Sequence, residues 1–296
     1  MQLFRGLIPP MVTPIADSRV DRKGVASLVG HTVEHLDGMV VGGSCGEGPS
    51  LGWDGRTAAV GAFLEEVSGR IPVIAGVAST STSDTQLLMK EGDRLGVAGY
   101  LVPPPFYFAN SEQGVAAFYR RVASMTDREV IVYDNPRTTK TTMSVNLLAS
   151  IVEQSPNINH IKVTDPDLDK VTRLRQASDA TLLAGTDEVM HHQVARGCEG
   201  AVTAAPQVFP KMCRAWFDAA CQRQGNTGRA LYDRLLPFVV ELLLGPDQYP
   251  AVIKHALFRL GVIPSDEVLS PLTPLDERRR QEVAEVLEIH ALESDH

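Results

Sequence analysis

One pattern recurs eight times in this 296-residue chain, and it limits what the chain can fold into. A short apolar run ends in a small or polar exit, and an amphipathic helical stretch follows. The runs are Leu7–Val12, Met39–Gly42, Val73–Gly76, Tyr100–Pro103, Val130–Tyr133, His160–Val163, Thr181–Ala184 and Ala201–Thr203. The helical stretches cover roughly 22–36, 54–68, 82–95, 111–125, 144–153, 167–177, 187–196 and 207–222, and several open on N-cap residues such as Asp54, Ser111 and Ser144. Strands joined through helices pair in parallel, because only a crossover returns the chain to the same edge. Eight such units predict a (β/α)8 barrel over residues 1–224. A doubly wound open sheet normally uses fewer repeats. From 225 to 296 the pattern is purely helical: Arg229–Leu244, Tyr249–Leu260 and Leu275–Leu292, the last two separated by a link with Pro264, Pro271 and Pro274. These stretches predict three C-terminal helices packed on the outside of the barrel.

Composition narrows the function. Hydrophobic residues make up 44% and charged residues 22%, which suits a chain with a sizeable core. The net charge is −8 and no Lys/Arg-rich block or aromatic-basic stripe is present, which argues against nucleic acid. No apolar run reaches membrane-spanning length, and the start, Met1-Gln2-Leu3-Phe4-Arg5, lacks a signal-peptide pattern. Cys45, Cys198, Cys213 and Cys221 show no CxxC pairing, so a reduced, cytoplasmic protein without a disulfide framework is expected. His191-His192 has neither an HExxH helix nor cysteine partners, so no metal site is expected there.

Of seven lysines, Lys162 alone falls inside an expected strand. Burial strips water from an ammonium and favours the neutral amine, a nucleophile able to condense with a ketone. The plainer alternative is a lysine that reaches water or pairs with Asp165. In a barrel, chemistry gathers where strands give way to loops at the C-terminal face. The exits there are Gly43-Ser44-Cys45-Gly46-Glu47, Pro103-Pro104-Pro105-Phe106-Tyr107, Tyr133-Asp134-Asn135-Pro136-Arg137 and Gly185-Thr186-Asp187-Glu188. The glycine-flanked turn suits an anion held by backbone N–H groups, although an ordinary tight turn is the plainer reading of the motif alone, and it is not a P-loop, since the GK[ST] end is missing. Cys45 has no histidine at a telling position to make it a nucleophile. Tyr133 ends the strand before the one carrying Lys162, and neighbouring exits lie side by side, so its phenol could serve proton transfer; the plainer alternative is an aromatic that fills the barrel's top layer.

With these residues in view, the chain resembles the dihydrodipicolinate synthase/N-acetylneuraminate lyase family of class I aldolases. The resemblance runs from Gly6-Leu7-Ile8-Pro9-Pro10-Met11-Val12-Thr13-Pro14 to Pro271-Leu272, through GSCGE at 43–47, YDNP at 133–136, IK at 161–162, GTDE at 185–188, Pro250-Ala251-Val252-Ile253-Lys254 and Leu260-Gly261. It implies a homotetramer, a dimer of dimers, with no cofactor and no metal. It implies that Lys162 forms a Schiff base with pyruvate or another 2-oxo acid, which then reacts with an aldehyde. Tyr133 matches the proton-relay tyrosine, Ser44 the relay hydroxyl, and Tyr107 the tyrosine that completes the relay across the tight dimer interface. The Ser44 and Cys45 amides would hold the substrate carboxylate, and Gly46, Arg137, Thr138, Gly185 and Val202 are the further expected substrate contacts.

The chain departs from the synthase pattern in places. Thr138 stands where synthases have the arginine that binds the second substrate, Lys140 replaces a glycine, and Arg137 comes one residue early. Val163-Thr164-Asp165 replaces the common Asp-Ser-Ser, and Ala204-Ala205-Pro206 lacks the usual asparagine. Trp53, Arg56 and Thr80 differ from the residues that bind feedback lysine. These differences favour a lyase acting on a 2-oxo (deoxy sugar or related) acid. The alternatives are 4-hydroxy-tetrahydrodipicolinate synthase, which condenses pyruvate with aspartate semialdehyde and would need Arg137 or another cation to replace the missing arginine, and a non-catalytic metabolite-binding barrel.

Overall fold

The computed structural model describes residues 4–165, 167–222, 224–243 and 249–294. At its centre are β1 (Gly6–Leu7), β2 (Met39–Val41), β3 (Val73–Gly76), β4 (Gly99–Val102), β5 (Glu129–Asp134), β6 (His160–Val163), β7 (Thr181–Ala184) and β8 (Gly200–Ala201). From β2 to β8 each strand pairs in parallel with the next in the chain, and β8 pairs in parallel with β1. A parallel bridge between Pro10 and Val40 joins the chain beyond β1 to β2 and closes the ring. This is the expected (β/α)8 barrel, with helices Gly225–Leu243, Tyr249–Arg259 and Glu277–Ser294 following it.

Strand alternation sorts the core into two layers. Phe4, Ile8, Val40, Ile74, Leu101, Ile131, Leu183 and Val202 pack together with Tyr133 inside the barrel. Met39, Val41, Val130, Val132, Ile161 and Val163 belong to the larger core under the helices. Each buried aliphatic or aromatic side chain contributes roughly 1.5–3 kcal/mol. Ile161 and Val163 thus face outward, and His160 and Lys162 between them face the barrel interior.

The differences from expectation are local. β1 ends at Leu7 rather than Val12, since Pro9 and Pro10 have no N–H to continue a ladder. A two-stranded hairpin, Ile15–Ala16 with Arg19–Val20, is an addition. Its turn residues Asp17 and Ser18 have φ of 50° and 59°, the pair of positive values that a tight hairpin requires. Ser111 and Ser144 cap their helices by accepting from Gly114 N at 3.2 Å and Leu147 N at 3.1 Å. Asp54 instead lies within the first turn of helix Gly52–Val67. The stretch expected at 207–222 divides into Ala205–Val208 and Pro210–Cys221, because Pro210 suits the first position of a new helix. The expected end of one C-terminal helix at Leu244 lies outside the described residues. Among the described residues, no helix is long and apolar enough to cross a membrane.

Candidate active site

β5 and β6 bring the two central side chains together. Their register places Tyr133 opposite Lys162. Both face inward near the C-terminal ends of their strands, and the Lys162 Nζ lies 4.1 Å from the centroid of the Tyr133 ring. Lys162 is 3% exposed. No ion pair found among the described residues includes it. The expected alternative, a pair with Asp165, does not form. Asp165 lies instead 3.1 Å from Lys170 Nζ, which also meets Asp134 at 2.6 Å. Asp134 is fully buried; burial raises its pKa, and Lys170 opposes the shift.

The turn after β2 supplies one wall. Gly42 and Glu47 have φ of 72° and 55°, and Gly48 N donates to Gly43 O at 3.0 Å. Only glycine fits at position 48, where a Cβ would stand 1.9 Å from Gly42 O. Thr13 Oγ1 fixes the turn from below by donating to Gly46 O at 2.8 Å. Ser44 and Cys45 reach the central cavity, and Gly46 is buried behind them. Burial pushes the Cys45 thiol up to about 12, and nearby Lys162 only partly opposes this. A thiol held protonated is a poor nucleophile, in keeping with the expectation from sequence. Glu47 turns into the core, where it pairs with Lys254 and accepts from Leu269 N at 2.6 Å.

The cavity at the barrel mouth measures ≈ 630 Å³. Of the residues singled out from sequence, Lys162, Tyr133, Ser44, Cys45, Arg137, Thr138, Gly185 and Val202 line it. Arg137 and Thr138 sit at its exposed rim, on the short helix Pro136–Thr139. Gly185 comes close beneath β6, since a Cβ there would meet Val163 O at 2.6 Å. Tyr107 is elsewhere in the chain, 76% exposed and packed edge-on against Phe108 beside a separate shallow cavity.

Several residues at this site were not among those expected to act there. Tyr249, Pro250 and Leu272, all from the C-terminal segment, line the cavity, so that segment is part of its wall as well as an outer covering. Asp187 is buried and accepts from Ala204 N at 2.9 Å, Ala205 N at 2.8 Å and the Tyr249 hydroxyl at 2.5 Å. It therefore fixes the loop after β8 and aims Tyr249. Glu188 lines the cavity beside it; burial raises this carboxyl, Asp187 adds to the rise and Arg137 opposes it. GTDE was noted as a strand exit and as a motif of the resemblance, with no role given to its aspartate. Its aspartate's role becomes visible only once residues 204 and 249 are known to converge on it.

A family model described as the dihydrodipicolinate synthetase family matches residues 3–290. The chain belongs to this family. The match makes it an enzyme of the dihydrodipicolinate synthase type. A relative from a Thermotoga species, named 4-hydroxy-tetrahydrodipicolinate synthase, is 29% identical over 96% of this chain and 98% of its own. One of the same name from Sphingopyxis alaskensis is 31% identical over 92% and 94%. Among solved structures, the dihydrodipicolinate synthase of Thermotoga maritima superposes with a TM-score of 0.92, at 28% identity and over 98% of this chain and 100% of its own. A prophage protein of the dihydrodipicolinic acid synthase family from E. coli K12, solved in complex with pyruvate, gives 0.92 at 26% identity over 97% and 99%.

Proposed function

We propose that this family member forms an imine between Lys162 and the ketone of pyruvate, and uses the derived enamine to make or break a carbon–carbon bond. The observation that carries this reading is a buried amine with no carboxylate partner among the described residues, set against a tyrosine at the floor of the cavity. The Lys162 amine attacks C2 and gives up a proton to Tyr133, which returns it to the departing hydroxyl as water leaves. Ser44 relays protons to Tyr133, and Tyr107 from a second copy of the chain completes the relay. A homotetramer built as a dimer of dimers supplies that second copy, and the exposed Tyr107 and Phe108 support such an arrangement. The Ser44 and Cys45 amides hold the pyruvate carboxylate, with Gly46 shaping the turn. Loss of a C3 proton gives the enamine, its carbon adds to an aldehyde, and hydrolysis of the imine frees Lys162.

The aldehyde we assign is aspartate semialdehyde, the alternative weighed from sequence. Two things support it over a 2-oxo (deoxy sugar or related) acid. The curated relatives spanning nearly the whole chain are named 4-hydroxy-tetrahydrodipicolinate synthase. Arg137 also lines the rim of the cavity, where a cation can hold the aldehyde's carboxylate despite Thr138 in the arginine position. We place this activity in the cytoplasm, and take residues 225–296 as an extension of the barrel of residues 1–224.

Borohydride reduction in the presence of pyruvate, followed by peptide mass spectrometry, tests the imine. An adduct on the Lys162 peptide, absent in Lys162→Ala, is the expected result. No adduct with pyruvate or larger 2-oxo acids would leave only a binding role for the barrel. Turnover of pyruvate with aspartate semialdehyde, compared with cleavage of a panel of 2-oxo sugar acids, then decides the partner. Preference for the sugar acids would overturn the synthase assignment.

A further inference from the structure

The β5 and β6 exits are tied together on the side away from the cavity. Side chains alternate, so Tyr133 and Lys162 point into the barrel while Asp134 points to the helix layer. Asp134 lies wholly buried beneath helix Leu168–Ala177. Lys170, on that helix and also buried, places its amine 2.6 Å from Asp134 and 3.1 Å from Asp165. One carboxylate directly follows Tyr133 in the chain, and the other comes three residues after Lys162. Two carboxylates and one ammonium taken from water are costly to assemble, and packed apolar residues would serve stability as well or better. The gain is geometric: a single cation spans the ends of both strands that carry the proposed reacting groups. Gln193 adds to the same brace by donating to Val163 O at 3.1 Å and Asp165 O at 3.3 Å.

We infer that Lys170 is a positioning residue, which sets the spacing of Tyr133 and Lys162 by bridging Asp134 and Asp165. This rests on the proposed imine chemistry. Lys170 touches no substrate. It acts by holding the phenol where it can pass a proton to the carbinolamine formed at Lys162, a step sensitive to small displacements.

The test measures the rate of borohydride-trappable imine formation as a function of pyruvate concentration. Lys170→Met should lower the limiting rate by roughly 10–100-fold, the scale expected for about 1 Å of misplacement. The half-saturating pyruvate concentration should change far less, since the turn that holds the carboxylate is untouched. Lys170→Arg, which keeps a charge able to span both carboxylates, should recover most of the rate. Lys170→Met strands two carboxylates, so the paired variant D134L/K170M replaces the ion pair with apolar side chains and carries the same expectation. A limiting rate equal to that of the unaltered protein in either folded variant would overturn the inference and leave the imine reading intact. Equal losses in rate, pyruvate affinity and trappable fraction would also overturn it, as the mark of a general loss of structure. Absence of any adduct in the unaltered protein would remove the imine reading, and this inference with it.

Discussion

Lys162 and Lys254 are both almost fully buried, and their surroundings differ in kind. Lys254 pairs with Glu47 and donates to Glu267 O at 2.6 Å, so its charge is compensated on two sides. Burial lowers its pKa, and Glu47 opposes the shift. Lys162 has a tyrosine ring and an open cavity in place of a carboxylate. The first arrangement cross-links the turn after β2 to the C-terminal helix Tyr249–Arg259. The second leaves an amine that is inaccessible from most directions and reachable from the cavity. Burial of a lysine is therefore a weak sign of chemistry in this molecule. Burial beside a cavity, without a partner, is a strong one.

The sharpest way to break that contrast is to remove each amine in turn. Lys162→Ala should abolish borohydride trapping and lower turnover on the order of 10⁴-fold or more, because it deletes the proposed covalent nucleophile. Its thermal midpoint should stay level or rise, as the side chain removed is a buried amine without a counter-ion. Lys254→Met should do the reverse, destabilising the fold by about 3–5 kcal/mol by stranding Glu47. Urea titration measures that loss, and activity per folded molecule should be largely kept. The double variant E47L/K254M should regain most of the stability. Turnover lost as deeply in Lys254→Met as in Lys162→Ala would show that the two lysines are not divided in this way.

The two ends of β6 sharpen the comparison further. His160 is wholly buried at the opposite end of the strand from the cavity, its Nε2 accepting from Phe4 N at 2.9 Å. Burial pushes its pKa down to about 4 from 6.5. Between those values the unfolded chain binds a proton that the folded one does not. Its contribution is thus fully present above about pH 6.5 and is lost as pH falls toward 4, by on the order of 3 kcal/mol. Urea titrations at pH 7 and pH 4.5 should show a steeper acid loss in the unaltered protein than in His160→Gln, which keeps an acceptor for Phe4 N without titrating. The smallest effect is expected far from both lysines. Ser111→Ala removes a helix cap and should cost about 1 kcal/mol with no change in trapping rate.

The repeat of apolar run, exit and helix made the barrel legible, and β3, β6 and β7 have the ends expected of them. Lys162 and Tyr133 were legible for the same reason, because strand alternation and order decide which exits meet. Lys170 was not distinguished from a surface helix lysine, and Lys254 was noted only as a motif match. Their burial depends on Asp134 and Glu47, which lie 36 and 207 residues away in the chain. Tyr249 was expected only as the start of an outer helix, and its bond to Asp187 draws it into the cavity wall.

The sequence by itself determined the period of the elements, the parallel order of the strands and the strand that carries the central lysine. These follow from local patterns a few residues long, where backbone geometry and the burial of one face leave little choice. Only the tertiary structure decided which charges are paired. An ion pair depends on atoms approaching within a few ångströms across long stretches of chain, and no local pattern encodes that distance. This is why three buried lysines look alike in the sequence, while in the folded protein two are clamped by carboxylates and one is left facing the cavity.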